Sequence, residues 1–263
     1  MNKISGLNRI RKIFEDRSFK KLGVYFTAGY PNFESTLAVA KALEAAGADF
    51  IEIGIPFSDS LVDGPTIQES NGVALANGMS LVLLFEQLKT LRSNVQIPVI
   101  LMGGLNPILQ FGIETFLAKC SQVGVDGVIV PELPPLEYAR KYRLLFEQYQ
   151  IANVMLIAPN SSVERVREID QLCSGFIYVV SSTATTGEVF SADSPGADYL
   201  EKLTRLNLQN PLMVGFGIRD SQSFAAATQH ATGGIVGSAM IRCLAKNGEN
   251  TQKITEFVHS LRD

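Results

Sequence analysis

An α/β fold, a single (β/α)8 TIM barrel with one extra helix at its N-terminal end, is what this sequence predicts, and three observations predict it. Eight short apolar runs alternate with helical stretches along the 263 residues, the pattern of a parallel sheet built from βα units. The joints repeat: Ala46-Gly-Ala-Asp-Phe-Ile-Glu-Ile and Val123-Gly-Val-Asp-Gly-Val-Ile-Val each set a helix-ending glycine just before a strand. The length suits one barrel, which takes about 250 residues, and no linker, charge block or low-complexity stretch divides residues 1–263. No Gly-x-Gly-x-x-Gly follows the first strand, which counts against a dinucleotide-binding sheet.

The elements follow in order. Residues 5–18 form an amphipathic helix with Leu7, Ile10, Ile13 and Phe14 on one face. The first strand, 22–29, ends in a glycine-bearing turn. The next helix starts after Pro31 and Asn32, presents Leu37, Ala40 and Leu43 on one face, and stops at Gly47. The second strand runs from Asp49 through Ile55, and helices at 66–76 and 80–92 follow it. A strand at 97–102, a helix at 107–122, a strand at 127–131 and a helix at 136–148 come next. The second half repeats the alternation with strands at 154–159, 176–181, 211–217 and 233–237. Helices at 162–172, 196–206, 220–230 and 249–261 accompany them, with a polar stretch at 182–194 and a short helical stretch after Ser238.

Composition narrows the function. The chain is 46% apolar and 19% charged, ordinary for a globular protein with a sizeable core. A net charge of -3 argues against nucleic acid or an anionic membrane as partner. No apolar run approaches the roughly 18 residues of a membrane span, and the basic N-terminus lacks the apolar region of a secretory signal. Cys120, Cys173 and Cys243 are odd in number and widely spaced, so they read as core residues rather than a metal or disulfide set. A cytoplasmic protein is expected.

Barrel active sites gather at the C-terminal ends of the strands. His230 and His259 fall in helices, the lysines fall in helices or at their edges, and the cysteines avoid strand ends. Histidine-held metal, Schiff-base and thiol chemistry therefore lack candidates. Glu52, Asp63, Glu132 and Tyr178 remain. Glu52 lies inside an apolar strand, where a carboxylate is costly unless paired, protonated or working. Asp63 follows the same strand in an Asp-Gly-Pro loop, which is also ordinary turn chemistry. Tyr178 serves equally well as a barrel-layer residue or a substrate contact, and Phe26 reads as core on periodicity. On the far side, Gly215-Phe-Gly217 and Gly237-Ser238 end strands seven and eight, where backbone amides can hold a phosphate. Gly187 offers another amide, and a phosphorylated small molecule is the natural ligand.

These segments resemble the alpha subunit family of tryptophan synthase. The resemblance is carried in order by Phe26-Thr-Ala-Gly29, Glu52-Ile-Gly-Ile-Pro-Phe-Ser-Asp59, Asp63-Gly-Pro-Thr-Ile-Gln68, Gly124-Val-Asp-Gly-Val-Ile-Val-Pro131, Tyr178-Val-Val-Ser181, Gly215-Phe-Gly-Ile218 and Val236-Gly-Ser238. It implies retro-aldol cleavage of indole-3-glycerol phosphate to indole and glyceraldehyde 3-phosphate. By the same carry-over Glu52 is the general acid–base and Asp63 accepts from the indole N–H. Gly187, Gly217, Gly237 and Ser238 bind the phosphate, Phe26 and Tyr178 line the pocket, and Thr186 holds Asp63. The resemblance implies no cofactor in this chain and a pyridoxal-phosphate beta subunit as partner in an alpha-beta-beta-alpha complex. The loops at 56–63 and 182–193 would close the site and face that partner.

The sequence departs from the family in places. Gly103-Gly104 stands where the family carries an aromatic wall. Ser182 and Ala184 replace an arginine and a glycine of the loop after strand six, Ser60 a proline, Glu132 an aspartate and Tyr30 a frequent aspartate. The altered loop motivates an alternative, an alpha subunit acting mainly as an allosteric activator of the beta subunit. A phosphosugar isomerase is a third reading, weakened by the absence of paired acids at the ends of strands one and five.

Overall fold

The computed structural model describes residues 6–16, 18–60, 63–180, 195–215 and 217–262. Its centre is a closed barrel of parallel strands: β1 (Lys21–Thr27), β2 (Phe50–Gly54), β3 (Val99–Met102), β4 (Gly127–Ile129), β5 (Ala152–Ile157), β6 (Ile177–Val180), β7 (Leu212–Gly215) and β8 (Gly233–Val236). Each strand pairs with the next, and β8 returns to β1 with Lys21 opposite Gly233. Closure leaves no open edge. Helices cover the outside of the strands, so both faces of the sheet are apolar.

The joint that repeats in sequence has a physical basis. Gly47 and Gly124 adopt φ of +91° and +86°, a backbone that glycine reaches without strain. Two residues on, each joint carries an aspartate that holds the start of the preceding strand. Asp49 Oδ2 accepts from Leu22 N at 2.7 Å, and Asp126 Oδ2 accepts from Val99 N at 2.6 Å. Arginines neutralise both: Arg262 meets Asp49 at 2.6 Å, and Arg9 meets Asp126 at 2.6 Å with Arg92 on its other oxygen.

Phe50 of β2 packs against Phe176, just before β6, with ring centroids 5.3 Å apart. Three strands lie between these positions either way round the ring, so only the barrel interior can bring them together. Phe14, from helix Gly6–Glu15, meets Phe176 edge-on at 6.0 Å. Ile10 of the same helix lies against Gly127 and Gly175, where an added Cβ would come within 3.2 Å of it. The N-terminal helix thus floors the barrel, anchored through Arg9 to Asp126.

Three helices differ from the predicted spans. The segment read as one helix at 107–122 is Leu105–Phe111 and Ile113–Val123, broken at Gly112 with φ +89°. The segment at 80–92 is helix Leu81–Gln87 followed by a tight turn and a last short helix, Leu91–Asn94. The stretch after β8 is a full helix, Ser238–Asn247. Lys21, expected outside the strands, opens β1 and is buried with its ammonium 3.6 Å from the Phe19 ring centroid. It lies at the end of β1 remote from the site and offers no Schiff-base amine there.

Candidate active site

Glu52 sits at the middle of β2, with Tyr25 of β1 and Ile100 of β3 as its ladder neighbours. Only 1% of the residue is exposed, and its Oε2 has no hydrogen-bond partner among the described residues. Burial, and then the charge of Asp63, raise its carboxyl from 4.5 to about 8. At neutral pH Glu52 is therefore mostly a neutral acid with a proton to give.

Asp63 is held by the residues that follow it. Gly64 is the N-cap of helix Pro65–Ala76 and Pro65 fills its first position, where a missing N–H costs nothing. One turn later the Gln68 amide donates to the carbonyls of Asp63 at 2.9 Å and Ser60 at 3.2 Å, closing the loop on the helix. Asn71 Nδ2 reaches Ser60 Oγ at 3.1 Å and the Asp63 carboxylate at 3.4 Å. Burial raises Asp63 from 3.8 to about 6, while Ser60 and Asn71 pull it back and Glu132 adds a smaller upward push. The pair is split, with Glu52 protonated and Asp63 mostly ionised near pH 7. Two carboxyls pushed apart by their surroundings are suited to one acid and one base.

Tyr178 enters from β6 and faces the same pair. Burial, then the charges of Glu52 and Asp63, raise its phenol well above 10.0, so it stays protonated. Gly215 of β7 makes room for it, since a Cβ there would lie 2.0 Å from the Tyr178 hydroxyl. Glu132, after β4, accepts from Leu105 N at 2.9 Å and ties together the loops that follow β3 and β4.

Strand phase reassigns one pocket residue. Tyr25 lines the cavity that holds Asp63, together with Phe57, Gly103 and Gly104. Phe26 is the next residue along β1 and points to the opposite face, where it is fully buried. Phe26 therefore belongs to the core between strand and helices, and Tyr25 to the site. Gly103 and Gly104 do not leave a gap: a Cβ at Gly103 would meet Ile55 at 2.8 Å, and one at Gly104 would meet Phe57 at 3.3 Å. Ile55 and Phe57, which follow β2, stand against these glycines and line the same cavity.

On the other side of the barrel, Gly217 adopts φ +75° and Gly237 is the N-cap of helix Ser238–Asn247. The first turn of that helix carries no acidic side chain. Gly187 and Thr186 lie outside the described residues, as do Ser182 and Ala184 of the loop whose substitutions motivated the activator alternative. No described residue favours that alternative. Among the described residues no group of three or more His, Cys, Asp or Glu side chains could hold a metal ion.

A closed parallel barrel with a buried and a half-buried carboxyl of split acidity, at one strand and the loop after it, has the architecture of a (β/α)8 enzyme. Residues 14–262 match the family model of the tryptophan synthase alpha chain. The chain is 49% identical to the tryptophan synthase alpha chain of Flavobacterium psychrophilum over 256 residues, covering 97% of this chain and 100% of that one. Its fold matches the tryptophan synthase alpha chain of Legionella pneumophila with a TM-score of 0.85 at 33% identity, covering 97% of this chain and 95% of that chain. It also matches a chain of the aminoacrylate-bound tryptophan synthase of M. tuberculosis with a TM-score of 0.84 at 26% identity, covering 97% and 98%. The chain belongs to the tryptophan synthase alpha chain family.

Proposed function

We propose that this chain catalyses the alpha reaction of tryptophan synthase, the retro-aldol cleavage of indole-3-glycerol phosphate to indole and glyceraldehyde 3-phosphate. The observation that carries the reading is the split pair, Glu52 at about 8 and Asp63 at about 6, near enough that the charge of Asp63 raises Glu52. Protonated Glu52 delivers its proton to indole C3. The Asp63 carboxylate accepts from the indole N–H and stabilises the positive ring that results. Glu52, now a carboxylate, takes the proton of the hydroxyl on the carbon bonded to C3. The C–C bond breaks, its electrons restore the indole ring, and the aldehyde forms. Tyr178 lines the pocket beside Glu52.

We assign the phosphate to Gly217, Gly237 and Ser238, with Gly187 from the loop after β6. A helix N-terminus offers free N–H groups and a favourable dipole to an anion. Packing does not demand glycine at 237, since a Cβ there would meet Tyr25 at an ordinary 3.5 Å. A ligand approaching the backbone does. Thr186 is assigned as a further support of Asp63.

This reaction calls for no cofactor in the chain itself. We place a beta subunit over the mouth of the barrel, in an alpha-beta-beta-alpha tetramer with pyridoxal phosphate in the partner. Leu109 and Leu136, on helices after β3 and β4, are exposed near that rim and supply apolar surface for such a contact. The three cysteines are unpaired, which suits the reducing cytoplasm we assign to the protein.

Indole release from indole-3-glycerol phosphate, measured with the wild-type chain and with Glu52→Gln in the presence of a beta subunit, tests the reading. Activity in the wild type and its loss in the variant are expected. Equal inactivity of both would reject it.

A further inference from the structure

With Glu52 and Asp63 read as the acid–base pair, one buried hydroxyl beside them has no part in the chemistry described. Tyr25 is 5% exposed and lies in register with Glu52. Gly54 makes room for its ring, since a Cβ there would lie 2.1 Å from the Tyr25 hydroxyl, and Gly237 flanks the ring on the side of the phosphate cradle. Tyr25 therefore reaches from the acids toward the helix assigned to the phosphate.

The hydroxyl begins a chain whose direction can be read. Ser70 Oγ donates to Ile67 O at 2.8 Å, which uses its single hydrogen. At 2.6 Å from Thr27 Oγ1 it must then accept, so Thr27 is the donor there. With the Thr27 hydrogen spent on Ser70, the 3.5 Å approach of the Tyr25 hydroxyl to Thr27 Oγ1 is a weak contact in which only Tyr25 has a hydrogen to give. Every hydrogen points out of the barrel, toward helix Pro65–Ala76. The lone pairs of the phenol are left for the cavity. Ser70 is the neighbour of Asn71, so the chain also fastens to β1 the helix that holds Asp63.

We infer that Tyr25 is a further positioning residue for the reaction, oriented by a one-way hydroxyl chain through Thr27 and Ser70 so that its oxygen faces Glu52 and Asp63. The groups facing this phenol are Glu52 from β2, Asp63 from the loop after it, Tyr178 from β6 and, beyond Asp63, Glu132 after β4. The negative end of the phenol dipole favours the protonated form of Glu52, the form that delivers the first proton. Burial, with both acids nearby, keeps the Tyr25 phenol itself from ionising.

Tyr25→Phe keeps the ring and removes only the oxygen. Ser70→Ala removes the end of the chain without altering the cavity lining, and frees the Tyr25 hydrogen to turn toward the acids. Carboxyl carbons are titrated by carbon-13 NMR in full-length wild type and both variants, and indole release is followed across pH. The midpoint of Glu52 is expected to fall in both variants, by about half a pH unit for loss of one neutral dipole. The alkaline limb of kcat/KM should move with it, with kcat reduced more than KM is raised. Unchanged midpoints in both variants, with only stability altered, would reduce the chain to packing and overturn the proposal. An upward shift in Tyr25→Phe would overturn it too, because the hydroxyl would then be donating to the acids. A wild type that releases no indole but shows the downward shifts would reject the assigned substrate and leave the chain's role standing.

Discussion

Tyr178 occupies the space that a side chain at Gly215 would need. A Cβ built on Gly215 lies 2.0 Å from the Tyr178 hydroxyl and 2.2 Å from Cζ. One strand is bare so that its neighbour can carry a ring to Glu52.

Gly215→Ala is therefore expected to push Tyr178 away from the acids. The clash is with a ring wedged inside a closed barrel, so the strain costs about 1–3 kcal/mol. Urea unfolding measures that loss, and indole release should fall at least about tenfold with the displaced ring. An alanine variant with wild-type activity would show that the position of Tyr178 is unimportant.

Glu52→Gln separates stability from catalysis. In the folded protein Glu52 keeps its proton up to about 8, against 4.5 for an ordinary glutamate. Between those values the unfolded chain releases a proton that the folded chain retains, so folding stability declines as pH rises through that window and levels off above it. Glutamine removes this slope. Its melting temperature at pH 8 is expected to exceed that of the wild type, while activity falls by on the order of 10²–10⁴. Calorimetry at pH 5 and pH 8, beside the assay, checks both halves.

For the wild type, kcat/KM should trace a bell with limbs near the two values of the pair, about 6 and about 8. The two groups interact, so the limbs belong to the pair rather than to either residue. Asn71→Ala removes the amide that reaches the Asp63 carboxylate at 3.4 Å. The acid limb should then move to higher pH, and kcat/KM at pH 7 should drop about tenfold, the worth of one hydrogen bond to a charged group. A downward or absent shift would show that Asn71 does not hold Asp63.

Asp126→Asn tests the floor. Asp126 is fully buried between Arg9 and Arg92 and also accepts from Val99 N. Removing its charge leaves two guanidinium groups facing a neutral amide, at a cost of about 3–5 kcal/mol. Urea unfolding should show the loss, with the active site intact in the protein that remains folded.

Much of this was legible in the sequence because two signals were local. Strand and helix alternate strictly, and the Gly-x-Asp joint is read directly at 47–49 and 124–126. Glu52 stood out as one carboxylate in an apolar run. The phase of β1 was not legible: all seven of its residues are buried. Periodicity reads Phe26 as core, the resemblance assigns it to the pocket, and it is its neighbour Tyr25 that lines the cavity with Asp63. Its pairing opposite Glu52 exists only in the register between strands. Asn71 carries no signal in the sequence, where it looks like any polar residue on a helix. Eight residues past Asp63 and three past Gln68, it lies on a helix face turned back toward the loop. Gly103 and Gly104 carry no sign in the sequence of the side chains set against them, because Ile55 and Phe57 come from another loop.

The packed rings of Phe14, Phe176 and Phe50 have a bearing on traffic as well as on folding. A barrel stoppered at one end has a single doorway. An uncharged aromatic product released above Glu52 cannot drain downward between β-strands that are already hydrogen-bonded all round. It must leave by the rim through which the substrate entered. Whatever protein sits on that rim receives the product before the solvent does.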